Sequence, residues 1–176
     1  FYLLVDSIHG LRELEAALGR RPLDRPLQVL LEVGVPGGRC GVRDVEQGLE
    51  LGRALGAAAP RIALRGIEAF EGILAGPESE TAVLALLERI ARLAAAGCDE
   101  GWFAPGELLL TAGGSAFFDL AAAVLGAVKL RRDVRPVLRS GCYLTHDAVH
   151  FDGVQQRMRE RSAALMGPGP GLQNAL

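Results

Sequence analysis

Leu108-Leu109-Leu110-Thr111-Ala112-Gly113-Gly114-Ser115-Ala116-Phe117-Phe118-Asp119 changes character twice within one short stretch. Three leucines and a threonine predict a short buried strand. Gly113, Gly114 and Ser115 turn the chain, and the apolar, alanine-rich run from Leu120 to Leu125 predicts a helix. A strand that ends in Gly-Gly-Ser and opens a helix has the makings of an anion site. Glycine lets backbone approach a ligand closely, and the first helical N–H groups have no internal partner. Ser115 can cap the helix and donate its hydroxyl to a phosphate oxygen. The competing reading of the same residues is an ordinary strand–turn–helix joint.

Working outward, the same alternation recurs. Phe1–Val5 predicts a strand ended by Asp6-Ser7, and His9–Leu18 a helix with Leu11, Leu14 and Leu18 on one side. Pro22 and Pro26 mark a loop. Leu27–Val33 is an apolar strand broken by Glu32, and the glycine-rich loop Gly34–Val42 follows it. Asp44 is positioned to cap a helix carrying Val45, Gly48, Leu49, Gly52 and Leu55 on one face. Arg61–Ile67 predicts a third strand, running on into Glu68–Gly72. Pro77 and Ser79 start a helix with Val83, Leu86, Leu87, Ile90 and Leu93 inward. Cys98–Glu107 reads as a loop containing Trp102. After the glycine turn and its helix, Val134–Leu138 is a fifth strand, leading into Arg139-Ser140-Gly141-Cys142-Tyr143.

Apolar runs rather than alternation mean strands covered on both faces, hence an α/β protein with a parallel sheet. A doubly wound sheet and part of a (β/α)₈ barrel both satisfy this. Polar or glycine-rich residues follow each strand in turn, which favours the barrel, where strand C-terminal ends form the active face. Five strands are too few for eight, so the sequence reads as an incomplete barrel lacking its first three strands. The missing initiator Met and a start inside an apolar run agree with that expectation. Residues 1–152 are the expected partial barrel domain. Residues 153–176, with Gly167-Pro168-Gly169-Pro170-Gly171, are the expected linker.

A formal net charge of −2 gives no reason to expect nucleic acid or an anionic membrane as partner, and no apolar run is long enough to span a bilayer. Cys40, Cys98 and Cys142 are odd in number and widely spaced, without a C-x-x-C pair. That suits a reducing, cytoplasmic compartment and neither a disulfide scaffold nor a zinc cluster. His146 and His150, with Asp147 and Asp152, have a spacing that gathers metal ligands only on a helix. The stretch reads as strand then turn, so no metal site is expected in the chain.

Leu31-Glu32-Val33-Gly34, Gly38-Arg39-Cys40-Gly41-Val42, Gly66-Ile67-Glu68-Ala69-Phe70-Glu71-Gly72, Thr111-Ala112-Gly113-Gly114-Ser115 and Leu138-Arg139-Ser140-Gly141-Cys142-Tyr143-Leu144-Thr145-His146-Asp147 occur in one order. In order and spacing they resemble the D-threonine aldolase and D-serine dehydratase family, which includes bacterial amino acid deaminases. That family is similar to the N-terminal barrel of alanine racemase (fold type III). The resemblance spans about Phe1 to Asp147. It implies a pyridoxal 5′-phosphate (PLP) lyase acting on D-amino acids, homodimeric as a full-length protein. Any divalent metal would be bound by a later β-rich domain outside this chain.

Carried over by position, Gly113, Gly114 and Ser115 would lie at the phosphate, as would the N–H groups of Gly141 and Cys142, with Tyr143 nearby. Arg139 matches an arginine aimed at the pyridine nitrogen. It would leave that nitrogen unprotonated, since guanidinium does not give up its proton. Arg39 would face the cofactor or the substrate carboxylate, and Glu68 and Phe70 would lie near the ring. Beside this stands another reading, in which Arg39 and Arg139 are interior salt-bridge partners of Glu32 or Glu68. Phe70 and Tyr143 likewise have a core reading.

PLP enzymes use a lysine to hold the cofactor. In the family it lies at the end of the first barrel strand, before the point where this chain starts. The single lysine, Lys129, reads as a surface residue. No catalytic residue is therefore expected within the chain, which would supply the phosphate side of a site. A racemase on the same barrel and a non-catalytic PLP-binding module are the other readings.

Overall fold

The computed structural model describes residues 1–74, 76–114, 116–139 and 156–161. Strands and helices alternate: β1 (Leu3–Val5), α1 (Ile8–Arg20), β2 (Leu27–Val33), α2 (Val45–Ala57), β3 (Ile62–Ala69), α3 (Ser79–Glu100), β4 (Leu108–Ala112), α4 (Phe118–Ala127) and β5 (Val134–Leu138). The strands form one parallel sheet in the order β1-β2-β3-β4-β5. A doubly wound sheet reverses direction at a switch point. Here each unit adds to the same edge, so all five strand C-terminal ends lie along one rim.

Register explains why the strand sequences are so apolar. Val5, Leu31, Ile67 and Leu110 are paired neighbours across four strands. They belong to a single core with Leu11, Leu51, Leu55, Leu86, Leu87, Ile90, Leu93 and Leu120 from the helices. Successive side chains alternate faces, so the next row, Leu4, Leu30, Gly66 and Leu109, stands on the sheet's other side. Two residues further on, that face carries Glu32, Glu68, Thr111 and Val137. The two carboxylates carried by these strands, Glu32 and Glu68, thus stand side by side at the rim end of one face. A bulge between Val29 and Leu30 brings Gly66 opposite Leu30. A Cβ on Gly66 would sit 1.9 Å from the Leu109 carbonyl oxygen, so only glycine fits there.

Ser7 and Asp44 cap α1 and α2, accepting from the Gly10 and Gln47 N–H groups. Two boundaries differ from the sequence reading. The expected loop from Cys98 begins only at Gly101, because α3 continues to Glu100. Gly97 does not break that helix; it makes room for the Trp102 and Phe103 rings. Gly101 ends it in the left-handed region, with φ 74°. α4 starts at Phe118 with Phe117 as its cap residue and no side-chain cap bond. Within the expected linker, residues 156–161 are helical. Arg161 anchors them through Asp119 (2.6 Å) and Glu80 (2.9 Å), and Met158 is buried.

Candidate functional site

The rim end of the sheet holds a cleft of about 240 Å³, lined by Leu4, Glu32, Gly34, Arg39, Glu68, Phe70 and Arg139 among others. One wall is the loop after β2. It folds back on the strand through Gly34 N–H to Val42 O (2.9 Å) and Val42 N–H to Glu32 O (2.9 Å). Gly41 makes the return possible: its φ is 92°, and a Cβ there would lie 2.2 Å from the Gly34 nitrogen. Arg43 fastens the loop from inside, donating to Val35 O (2.7 Å), Cys40 O (3.3 Å) and Arg39 O (3.1 Å). Arg89 of α3 donates to Gly34 O (2.7 Å). The loop therefore presents Arg39 as an exposed cation, its guanidinium 5.8 Å from the centre of the Phe70 ring.

The floor is a polar triad drawn from three strands. Arg139 donates through Nη2 to Glu68 Oε2 (2.7 Å) and to Ala69 O (2.7 Å), and through Nε to Thr111 Oγ1 (3.0 Å). The Thr111 hydroxyl in turn donates to Val137 O (2.8 Å). The Arg139 backbone N–H is bonded to Gly113 O (3.2 Å), which ties the arginine to the glycine turn. Arg139 itself lines the cleft. The salt-bridge reading of Arg139 is thus realised, with Glu68. Arg39 makes no ion pair with Glu32 or Glu68 among the described residues.

Glu68 is only 1% exposed. Burial pushes its carboxyl up to about 7; Arg139 opposes this, and the Glu32 and Glu71 carboxylates reinforce it. Glu32 is also held above its ordinary range, by burial first and by Asp6 second. Asp6, Glu32 and Cys40 place one potential ligand atom each within 4.8 Å of one another.

Beside the cleft, the Gly113–Gly114 turn holds an anion supplied by the protein itself. Gly113 N–H donates to Glu71 Oε2 (3.2 Å), and Gly114 N–H donates to Glu71 Oε1. The left-handed φ of Gly113, 92°, turns consecutive N–H groups to one side, the arrangement that makes an anion-binding concavity.

Of the residues singled out in the sequence, Arg39, Glu68 and Arg139 meet in one cleft, and Gly113 and Gly114 adjoin it. Phe70, with a core reading in the sequence, is 42% exposed beneath Arg39. Ser115, Gly141, Cys142 and Tyr143, and His146, Asp147, His150 and Asp152, lie outside the described residues. Lys129 is exposed, between α4 and β5 at the opposite end of the sheet, in a depression with Arg132 and Asp133. The sequence reading gave no role to Glu71 or Thr111. A carboxylate two residues past an apolar strand was the available signal for Glu71. Its pairing with a turn 42 residues away is not a local property. No protein-family model matches the chain, and no curated protein matches it. No helix among the described residues is long and apolar enough to cross a membrane.

Proposed function

We propose that this chain is part of a PLP-dependent lyase acting on D-amino acids, of the D-serine dehydratase or D-threonine aldolase type. In this reading it is an arc of a (β/α)₈ barrel and supplies the phosphate side of the cofactor site. The observation that carries the proposal is the gathering of Glu68, Arg139, Arg39 and the Gly113–Gly114 turn at one rim of one parallel sheet. A barrel mouth is where such groups do chemistry.

The residues fit the group. Two glycine amides that already donate to a carboxylate suit phosphate oxygens. PLP, when bound, supplies the electron sink for chemistry at the amino-acid α-carbon. Arg139, held by Glu68 and Thr111, lines the cleft with a donor-only guanidinium. Any acceptor it meets receives a hydrogen bond and no proton. Arg39 offers a positive charge at the mouth for a carboxylate. Glu68, poised near neutrality, holds or yields a proton at its carboxyl as the charge beside it changes. The covalent anchor for the cofactor is a lysine from outside residues 1–176, since Lys129 is at the far end. The proposal extends to a homodimeric, cytoplasmic full-length enzyme.

The internal ion pair of Arg139 favours a second reading, a PLP-binding module without catalysis. One experiment addresses both. PLP is added to the 176-residue chain and to the full-length protein, with ³¹P NMR to follow binding and D-serine and D-threonine as trial substrates. We expect binding to both, and ammonia with an α-keto acid, or glycine with an aldehyde, from the full-length protein only. Isomerised substrate as the sole product indicates a racemase. A bound cofactor that never becomes borohydride-fixed indicates the module. No change in the phosphorus signal with either protein refutes the proposal.

A further inference from the structure

We propose that Glu71 is an internal plug of the Gly113–Gly114 turn, occupying by its carboxylate the place of an incoming phosphate group and leaving when that group binds. The inference rests on the reading above, that this turn is the phosphate site.

Glu71 is wholly buried, yet no cation pairs with it among the described residues. Arg139 of the site donates to Glu68, Ala69 and Thr111. A carboxylate in that position, beside the second carboxylate of Glu68, is costly unless its oxygens are well bonded. Among the described residues its side-chain hydrogen bonds come from the two glycine amides. The turn is therefore shaped for negative charge in its own right. It lies ahead of α4, whose first residue is Phe118, so it is not merely a helix end. A Cβ on Gly114 would approach this occupant closely, 3.2 Å from Glu71 Oε1.

Glu71 arrives from a different strand. It follows β3 in a turn closed by Leu74 N–H on Glu71 O (2.9 Å), and Phe70 and Ile73 on either side are exposed. Exchanging this carboxylate for a phosphate leaves both amides bonded before and after, so the two states differ chiefly in where Glu71 lies. The contact is then a competition within one molecule. The affinity for phosphate is reduced by the fraction of time the turn is open. A self-ligand of this kind holds the two amides in place while no cofactor is bound, and makes loading of the site depend on expelling Glu71.

The test is a titration of inorganic phosphate into the 176-residue chain and its Glu71→Gln variant, following the Gly113 and Gly114 amide resonances. We expect both amides to shift and the variant to bind about tenfold more tightly, as when the turn is open about a tenth of the time. Equal or weaker binding by Glu71→Gln, with both amides still shifting, overturns the plug and leaves the phosphate site standing. No amide shift in either protein at saturating phosphate removes the phosphate site itself. A second measurement needs no variant: in the wild-type chain, phosphate must move the Glu71 side-chain carboxyl carbon resonance together with the two amides. An unmoved carboxyl signal beside shifting amides overturns the plug whether or not the variant folds.

Discussion

Replacing Glu68 by glutamine should flatten the pH dependence of stability in a defined window. Glu68 lies on the rim floor with almost no solvent around it, and Arg139 at 2.7 Å only partly offsets the lost hydration. In the folded chain its carboxyl keeps the proton until about pH 7, against an ordinary value of 4.5. Between those values the folded state binds more protons than the unfolded state. The stabilisation is complete below pH 4.5 and is lost as pH rises through about 7. At about 1.4 kcal/mol for each pH unit between the two values, the loss is about 3 kcal/mol. Glutamine has nearly the same shape, keeps an oxygen for Arg139 and has no proton to lose. Urea unfolding of both proteins at about pH 4.5 and about pH 7.5 provides the comparison. The wild-type chain should lose about 3 kcal/mol more than the variant across the interval. Carboxylates that do not interact with Glu68 contribute to both proteins and drop out of the difference. Parallel pH profiles refute the argument. A wild-type chain that gains stability relative to the variant shows instead that Arg139 outweighs burial.

Two further substitutions probe the frame that holds the rim. Gly66→Ala drives a Cβ to 1.9 Å from the Leu109 carbonyl oxygen, an atom fixed in the β3–β4 ladder. It should cost about 3 kcal/mol in chemical denaturation, and a loss below about 1 kcal/mol would mean the strands part easily. Asp44→Ala removes the acceptor for the Gln47 N–H (2.8 Å) and should lower stability by about 1 kcal/mol. Asp44→Ser should recover most of it, and failure to do so would assign the loss to charge rather than capping.

The sequence by itself determined the elements and their class. Leu27–Val33 and Val134–Leu138 are strands where the sequence reading places them, and Asp44 caps its helix as its position predicts. Mostly apolar strands without strict alternation, separated by amphipathic helices, point to a parallel sheet, whose strands are covered on both faces. These are local properties, legible in windows of ten or twenty residues. The helix boundaries at Gly101 and Phe118 were less legible: Gly97 continues the first of these helices and leaves room for Trp102 and Phe103, and the left-handed Gly101 ends it.

Only the tertiary structure decided which charges meet. Glu68 and Arg139 are 71 residues apart, and Glu71 and Gly114 are 43 apart. Their contacts follow from parallel register, which sets Glu68 beside Thr111 and brings the tips of β3, β4 and β5 to one level. Periodicity says which side of a strand a residue occupies. It carries no information on which residue of another strand stands next to it, and at the rim that neighbour decides whether a carboxylate is buried, paired or free to accept from a glycine amide.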